Sequence, residues 1–357
     1  MPPIKPDSSP CSEKKKIEAA LPAFRRALTA WFRRHGRDLP WRHTRDPYAI
    51  LVSEMMLQQT QVATVIGYYE RWMKRFPDAA TLAAAPEPDV LHAWQGLGYY
   101  SRARNLHAAA RRIVEEGGFP REHERILALP GVGRYTAGAV ATFAFDEPTP
   151  PVDGNILRVL ARLLDFRAPV DSGPGLEFLW ETARRWQPGD GAGQYNEAMM
   201  ELGALICTPR SPACLVCPVR AYCAAEQPGS LPVKKPRAAT VALEEACGWI
   251  VREGREILLE TQTGRRWRGL WRLPLLRGKK PEGRRPKGSE PPGAELLSLV
   301  YPFTNHRITL RVYPAAYEEA ALPEQTEWFP LAGHAAIPMT APHRRALEAL
   351  YQRMGQG

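Results

Sequence analysis

Four cysteines, Cys207, Cys214, Cys217 and Cys223, stand in the spacing C-x6-C-x2-C-x5-C. Sulfur ligands so close in sequence wrap one metal centre without help from distant chain, and this fixes a closed loop in whatever fold the chain adopts. Disulfide pairing, the other use of crowded cysteines, belongs to oxidising compartments. The lysine run at Lys14-Lys15-Lys16 is not followed by the apolar core of a signal peptide, and no apolar run is long enough for a membrane helix. The expectation is a cytoplasmic protein with a metal-closed loop. Spacing alone leaves an iron-sulfur cluster and a structural zinc both open, because four thiolates suit either.

The chain divides around that loop. Residues 1–16, with their prolines, polar residues and lysines, read as a disordered tail. From 17 to 225 the apolar spacing is helical, with start signals such as Asp46-Pro47 before Tyr48, and predicts roughly ten short helices. Residues 226–239 (EQPGSLPVKKPRAA) have the composition of a linker. Beyond it, short runs such as Trp249-Ile250-Val251, Ile257-Leu258-Leu259 and Ile308–Tyr313 predict a smaller α/β domain over 240–357. Residues 277–293 lack apolar side chains to pack and read as a disordered loop. At 357 residues, two cores are expected.

The 48 basic residues exceed the 38 acidic ones, giving +10. Basic residues also interleave with aromatics at Trp31-Phe32-Arg33-Arg34 and Trp41-Arg42. Solubility alone accounts for net charge, but the interleaving favours a nucleic-acid partner. Leu129-Pro130-Gly131-Val132-Gly133-Arg134-Tyr135 reads as a tight turn opening a helix. Glycines at 131 and 133 let backbone approach another surface, and the helix start offers amides to a phosphate. An ordinary helix-helix turn would look the same.

Two carboxylates have contrasting surroundings. Glu54 sits within Ile50–Thr60, mostly apolar, where burial would raise its pKa and leave it a transferable proton near neutrality. The alternative places it on a polar stripe with Gln58 and Gln61. Asp153 precedes Gly154–Leu160, an evident helix, and its plain role is N-cap. A helix N-terminus also favours the ionised carboxylate. One neutral and one ionised carboxyl suit glycosidic cleavage, the first protonating the leaving group and the second stabilising the cationic sugar.

The segments LPWR (39–42), SEMMLQQT (53–60), GLGYYSRARNLH (96–107), GVGRYTAG (131–138) and VDGNILRVLARL (152–163), with the cysteine loop, resemble the MutY adenine DNA glycosylases of the helix-hairpin-helix superfamily. The resemblance runs from about residue 20 to 225, and SEMMLQQT separates this branch from endonuclease III. It implies an all-α, two-lobed helix-hairpin-helix glycosylase domain over 17–225, and a 4Fe-4S cluster on Cys207, Cys214, Cys217 and Cys223. The implied partner is double-stranded DNA carrying adenine opposite 8-oxoguanine or guanine, bound by a monomer, with the adenine flipped out. Glu54 would protonate adenine at N7, Asp153 would stabilise the oxocarbenium ion or a short-lived adduct, and Tyr135 and Asn155 would position them. Gln59, Thr60, Leu97 and Tyr99 match the family's strand and 8-oxoguanine contacts, with Tyr99 wedging into the base stack. Gly131 and Gly133 belong to its DNA-binding hairpin.

Residues 240–357 resemble the family's Nudix-like module through Trp267–Pro274 and Phe303-Thr304-Asn305-His306, but offer no glutamate-rich helix for magnesium, so recognition of 8-oxoguanine is the implied role. Asn305 intervenes where the family places His, so Asn305 and His306 are rival readers; a one-residue shift within a loop favours His306. Two other readings stay open. Endonuclease III-like lyases carry a lysine where this chain has Tyr135, and a non-catalytic DNA-binding protein would have no need of both Glu54 and Asp153.

Overall fold

A computed structural model describes residues 10–236, 239–253, 255–262, 267–276, 294–316 and 326–354, with side chains from residue 15. The segment 277–293, read above as a disordered loop, lies outside the described residues. The chain separates into two compact units: residues 1–84 with 105–236, and residues 85–104 with 237–357. The change at 236 falls within the stretch read as a linker, but 85–104 groups with the C-terminal residues, where the sequence reading had placed it in the helical domain.

Helices in chain order are α1 (Pro10–Ala19), α2 (Leu21–His35), α3 (Pro47–Leu57), α4 (Val62–Arg75), α5 (Ala79–Ala84), α6 (Glu87–Ala93), α7 (Ser101–Glu115), α8 (His123–Leu127), α9 (Arg134–Phe145), α10 (Gly154–Leu163), α11 (Gly173–Arg185) and α12 (Ala192–Leu205). Helix α1 makes residues 10–16 of the expected disordered tail helical, whereas residues 1–9 lie outside the described residues. Its Ser-Glu-Lys-Lys-Lys run consists mainly of good helix formers, and Ile17 is anchored in the same core as Phe24.

Local chemistry starts several of these helices. Asp46 caps α3 by accepting from the amides of Tyr48 and Ala49, with Pro47 in the first turn. Ser172 caps α11 through Gly175 N. Helix α3 is buried all round from Tyr48 to Met56, so it is a central helix rather than an amphipathic surface one. Around α10 and α12 the core gathers Phe24, Leu28, Leu160, Leu179, Trp186 and Leu202. Each such fully buried side chain stabilises the fold by about 1.5–3 kcal/mol.

In the second unit, β1 (Val241–Trp249) pairs in parallel with β6 (His306–Pro314), which pairs antiparallel with β5 (Leu297–Phe303). A second sheet centres on β3 (Glu256–Thr261), flanked by β2 (Val251–Arg252), β4 (Trp271–Arg272) and β7 (Thr326–Pro330), all antiparallel to it. Helix α13 (Ala341–Met354) contributes Ala346, Leu347 and Leu350 to a core with Ile257, Leu259, Leu310 and Val312. Residues 240–357 therefore mix strands with a helix, as the sequence predicts.

Candidate active site

Glu54 lies on α3 and is 3% exposed. Tyr135, in the first turn of α9, donates its hydroxyl to Glu54 Oε2 at 2.6 Å. Burial pushes the Glu54 carboxyl up to about 7; the Tyr135 hydrogen bond opposes this, and the charge of Asp153 adds to it. The polar-stripe alternative fails, because α3 ends at Leu57: Gln58 caps its C-terminus and Gln61 caps the start of α4. Neither continues a helical face with Glu54.

Asp153 caps α10. It accepts from the amides of Asn155 and Ile156 at 3.0 and 2.8 Å and from Asn155 Nδ2 at 2.7 Å. The sequence reading expected the helix N-terminus to dominate this group. Burial instead moves its pKa upward on balance, while the two amides, the Asn155 side chain and the Arg158 charge pull it down. Asn155 is held in turn: Arg158 donates to its Oδ1 at 2.7 Å, and Gly203 on α12 sits so close that a Cβ there would meet Asn155 Cβ at 2.7 Å. The glycine allows α12 to approach the N-terminal end of α10.

Glu54, Tyr135, Asp153 and Asn155 all line one cavity of about 270 Å³. Thr60 lines it too, as do Arg42 and Glu197, which the sequence reading assigned no role. The Glu197 carboxyl is raised by burial, against the pull of Arg42 and Arg45. Arg42 lies 3.8 Å from Glu197 and 2.9 Å from Glu201. Glu201 would be raised by its burial, yet hydrogen bonds from Arg37 and Arg42 bring it down to about 2. A signal existed for Glu197: a carboxylate among apolar residues in Tyr195–Leu202, the same pattern that singled out Glu54.

The other predicted residues are placed as follows. Gln59 is exposed in the turn after α3, with a left-handed backbone (φ 57°). Gly131 forms the turn between α8 and α9 with φ 73°, and a Cβ on it would collide with Asn105 Cβ at 2.4 Å. Gly133 caps α9 and offers no side chain, leaving the first-turn amides without a side-chain cap. Leu97 and Tyr99 lie in the second unit; Leu97 is buried, whereas Tyr99 is 47% exposed. Asn305 and His306 are also in that unit. They do not share a loop: Thr304 (φ 52°) and Asn305 form the two-residue turn of the β5–β6 hairpin, and His306 pairs with Phe303 as the first residue of β6. A tight hairpin register has no slack for the one-residue loop shift invoked for His306.

The cysteine loop follows α12 and is folded by two 3₁₀ turns, Cys214–Val216 and Arg220–Tyr222. All four thiols are free. Arg162 on α10 donates to Cys207 Sγ at 3.2 Å and to the Thr208 and Pro209 carbonyls, and Arg158 donates to the Cys207 carbonyl at 2.7 Å. Burial pushes the Cys217 thiol up to about 11 and raises Cys223, and the neighbouring thiols add to both. Four mutually sensing, half-buried sulfurs beside a guanidinium are a donor set that a cationic metal centre would convert to thiolates. Among the described residues, no three His, Cys, Asp or Glu side chains gather around a single metal-ion position.

Residues 52–169 match the HhH-GPD superfamily of base excision DNA repair proteins, and 207–223 match the iron-sulfur binding domain of endonuclease III. An adenine DNA glycosylase of Buchnera aphidicola (subsp. Schizaphis graminum) is 33% identical over 259 residues, covering 70% of this chain and 74% of that protein. The Rattus norvegicus adenine DNA glycosylase is 49% identical over 220 residues, 58% of this chain but 43% of the rat protein, so the chain spans less than half the length of that relative. Among solved structures, a thermostable thymine-DNA glycosylase superposes with a TM-score of 0.53 at 30% identity, covering 58% of this chain and 96% of its own. Endonuclease III in a trapped covalent complex with DNA gives 0.50 at 26%, covering 59% and 95%. With its helical fold, its paired carboxyls and its cysteine loop, the chain belongs to the adenine DNA glycosylase (MutY) family of the helix-hairpin-helix superfamily.

Proposed function

We propose that this chain is a monofunctional adenine DNA glycosylase that hydrolyses the N-glycosidic bond of adenine opposite 8-oxoguanine or guanine. The observation that carries the reading is the pair Glu54 and Asp153 in one cavity: the first is a buried acid poised at about 7, the second is held by two helix amides. Glu54 gives its proton to N7 of the flipped-out adenine, and the base leaves with the bonding pair. Asp153 stabilises the resulting oxocarbenium ion, and water adds at the sugar carbon, returning a proton to Glu54. Tyr135 fixes the acid's orientation and Asn155 that of Asp153. Arg42 and Glu197 supply donor and acceptor atoms to the base edge. Tyr135 has no amine for imine formation, which supports base release without strand cleavage.

The Gly131–Gly133 turn and the open amides of α9 would take a DNA phosphate. Gln59 and Thr60, beside the cavity-bearing helix, would contact the DNA around the lesion. Cys207, Cys214, Cys217 and Cys223 would hold a 4Fe-4S cluster, whose role is to shape a loop presenting Arg210 and Arg220. What favours a cluster over a zinc ion is the match of residues 207–223 to the iron-sulfur binding domain of endonuclease III.

The C-terminal residues would act as a Nudix-like module that reads 8-oxoguanine. In support, Trp267 of the Trp267–Pro274 segment packs on Phe303 at 4.7 Å, next to the turn residue Asn305 and opposite His306 in the β5–β6 hairpin. Excision assays on duplexes with adenine opposite 8-oxoguanine, adenine opposite guanine, and oxidised pyrimidines test the whole reading. Adenine release, fastest opposite 8-oxoguanine and less selective in N305A or H306A, is expected. Release of oxidised pyrimidines instead would overturn it.

A further inference from the structure

Tyr99 is an exposed aromatic side chain on a backbone that L-residues rarely adopt, φ 48°, directly after Gly96 (φ 102°) and Gly98 (φ 68°). Such a conformation persists only where the surroundings over-determine it. Two side chains, Arg102 and Trp94, hold the loop here. Arg102, 5% exposed, donates from its Nη2 to the carbonyls of Leu97 at 2.8 Å and Gly98 at 3.1 Å. Its guanidinium carbon lies 5.5 Å from the centre of the Tyr99 ring and 5.4 Å from that of Trp94. Trp94 donates its Nε1 to the same Gly98 carbonyl at 3.1 Å. The Arg102 amide also bonds back to the Tyr99 carbonyl at 2.9 Å.

We infer that Arg102 is a positioning residue for base extrusion: its guanidinium, clamped on two loop carbonyls and set against the Trp94 and Tyr99 rings, holds the Tyr99 ring erect as the wedge that enters the DNA stack. This rests on the proposed glycosylase reading and on Tyr99 acting as the wedge. The planar fork matters as much as the charge. Lysine has a single point-like donor group and no plane to stack, so it cannot hold both carbonyls and pack a flat face against the rings as arginine does. Burial brings the guanidinium down to about 10, still well above neutrality, so the clamp is charged at working pH. A group buried this deeply has no access to DNA and acts only through the loop.

The test uses full-length wild type, Y99A, R102M, R102K and the Y99A/R102M double variant, each checked for cluster absorbance and thermal melting. Single-turnover excision is measured on a duplex with adenine opposite 8-oxoguanine, and on one whose adenine is already unstacked opposite an abasic site. R102M is expected to lose about tenfold or more on the paired duplex and almost nothing on the unstacked one. The double variant should be no worse than Y99A, since both remove the same wedge. R102K should remain impaired; should R102M not fold, R102K against wild type decides on the same two substrates. Equal losses on both substrates, additive losses in the double variant, or full rescue by lysine would overturn the inference. If Y99A itself excises at the wild-type rate on the paired duplex, the wedge reading falls first, a result distinct from a silent R102M.

Discussion

Replacing Glu54 with Gln separates stability from catalysis in a way that the structure quantifies. A carboxyl displaced from its ordinary 4.5 to about 7 by burial binds its proton more tightly in the folded state than in the unfolded one. The sign follows: stability contributed by the protonated form is complete below about pH 4.5, and is lost as pH rises through about 7. At about 1.4 kcal/mol per pH unit the loss amounts to about 3 kcal/mol. Gln keeps the shape, can still accept from Tyr135, and has no charge to bury. E54Q should therefore melt at nearly the wild-type temperature in acid and about 6–12 °C higher above pH 7, in a unit of this size. The same variant should release adenine at least about 10²-fold more slowly, because the transferable proton is gone. Wild-type excision should itself decline above about pH 7. Calorimetry and single-turnover excision across pH supply both readings. Wild-type turnover by E54Q, or the same pH slope of stability in both proteins, would refute the assignment of Glu54 as a buried acid.

Purified protein should be brown, with broad absorbance at the blue end of the visible spectrum and iron and sulfide by analysis; colourless protein with one zinc would reject the cluster. Borohydride should trap little covalent DNA complex, and strand nicking should lag far behind base release; nicking as fast as adenine release would move the chain to the lyase reading. Gly203→Ala should place a methyl group 2.7 Å from Asn155 Cβ and push the start of α10, with Asp153, off line. Excision should drop about 10- to 100-fold with DNA affinity little changed. An unaltered rate would show that Gly203 does not set the Asp153 geometry.

The features legible in the sequence are those whose partners are close along the chain. Asp46 and Asp153 cap helices because a cap reaches amides only two and three residues ahead, so composition near a helix start announces it. The cysteine loop is local for the same reason, and the change from helical to alternating periodicity marked where strands begin. Features that depend on distant chain were decided by the tertiary structure. Whether Glu54 shared a polar stripe or was enclosed turned on where α3 stops and on Tyr135, 81 residues away. Gly203 matters because α12 crosses α10, and Glu197 joins the cavity through the same helix. His306 became a strand residue once Phe303 was seen opposite it. Residues 85–104 left the helical unit, and residues 10–16 became helix beside Ile17's anchor in the core, through packing that no window of local sequence contains. Burial is a property of the assembled chain, and burial is what raises Glu54 to about 7 and outweighs the helix amides at Asp153. The sequence alone therefore determined which carboxyls could share the chemistry, and the fold determined how each holds its proton, because desolvation depends on everything packed around a group rather than on its neighbours in the chain.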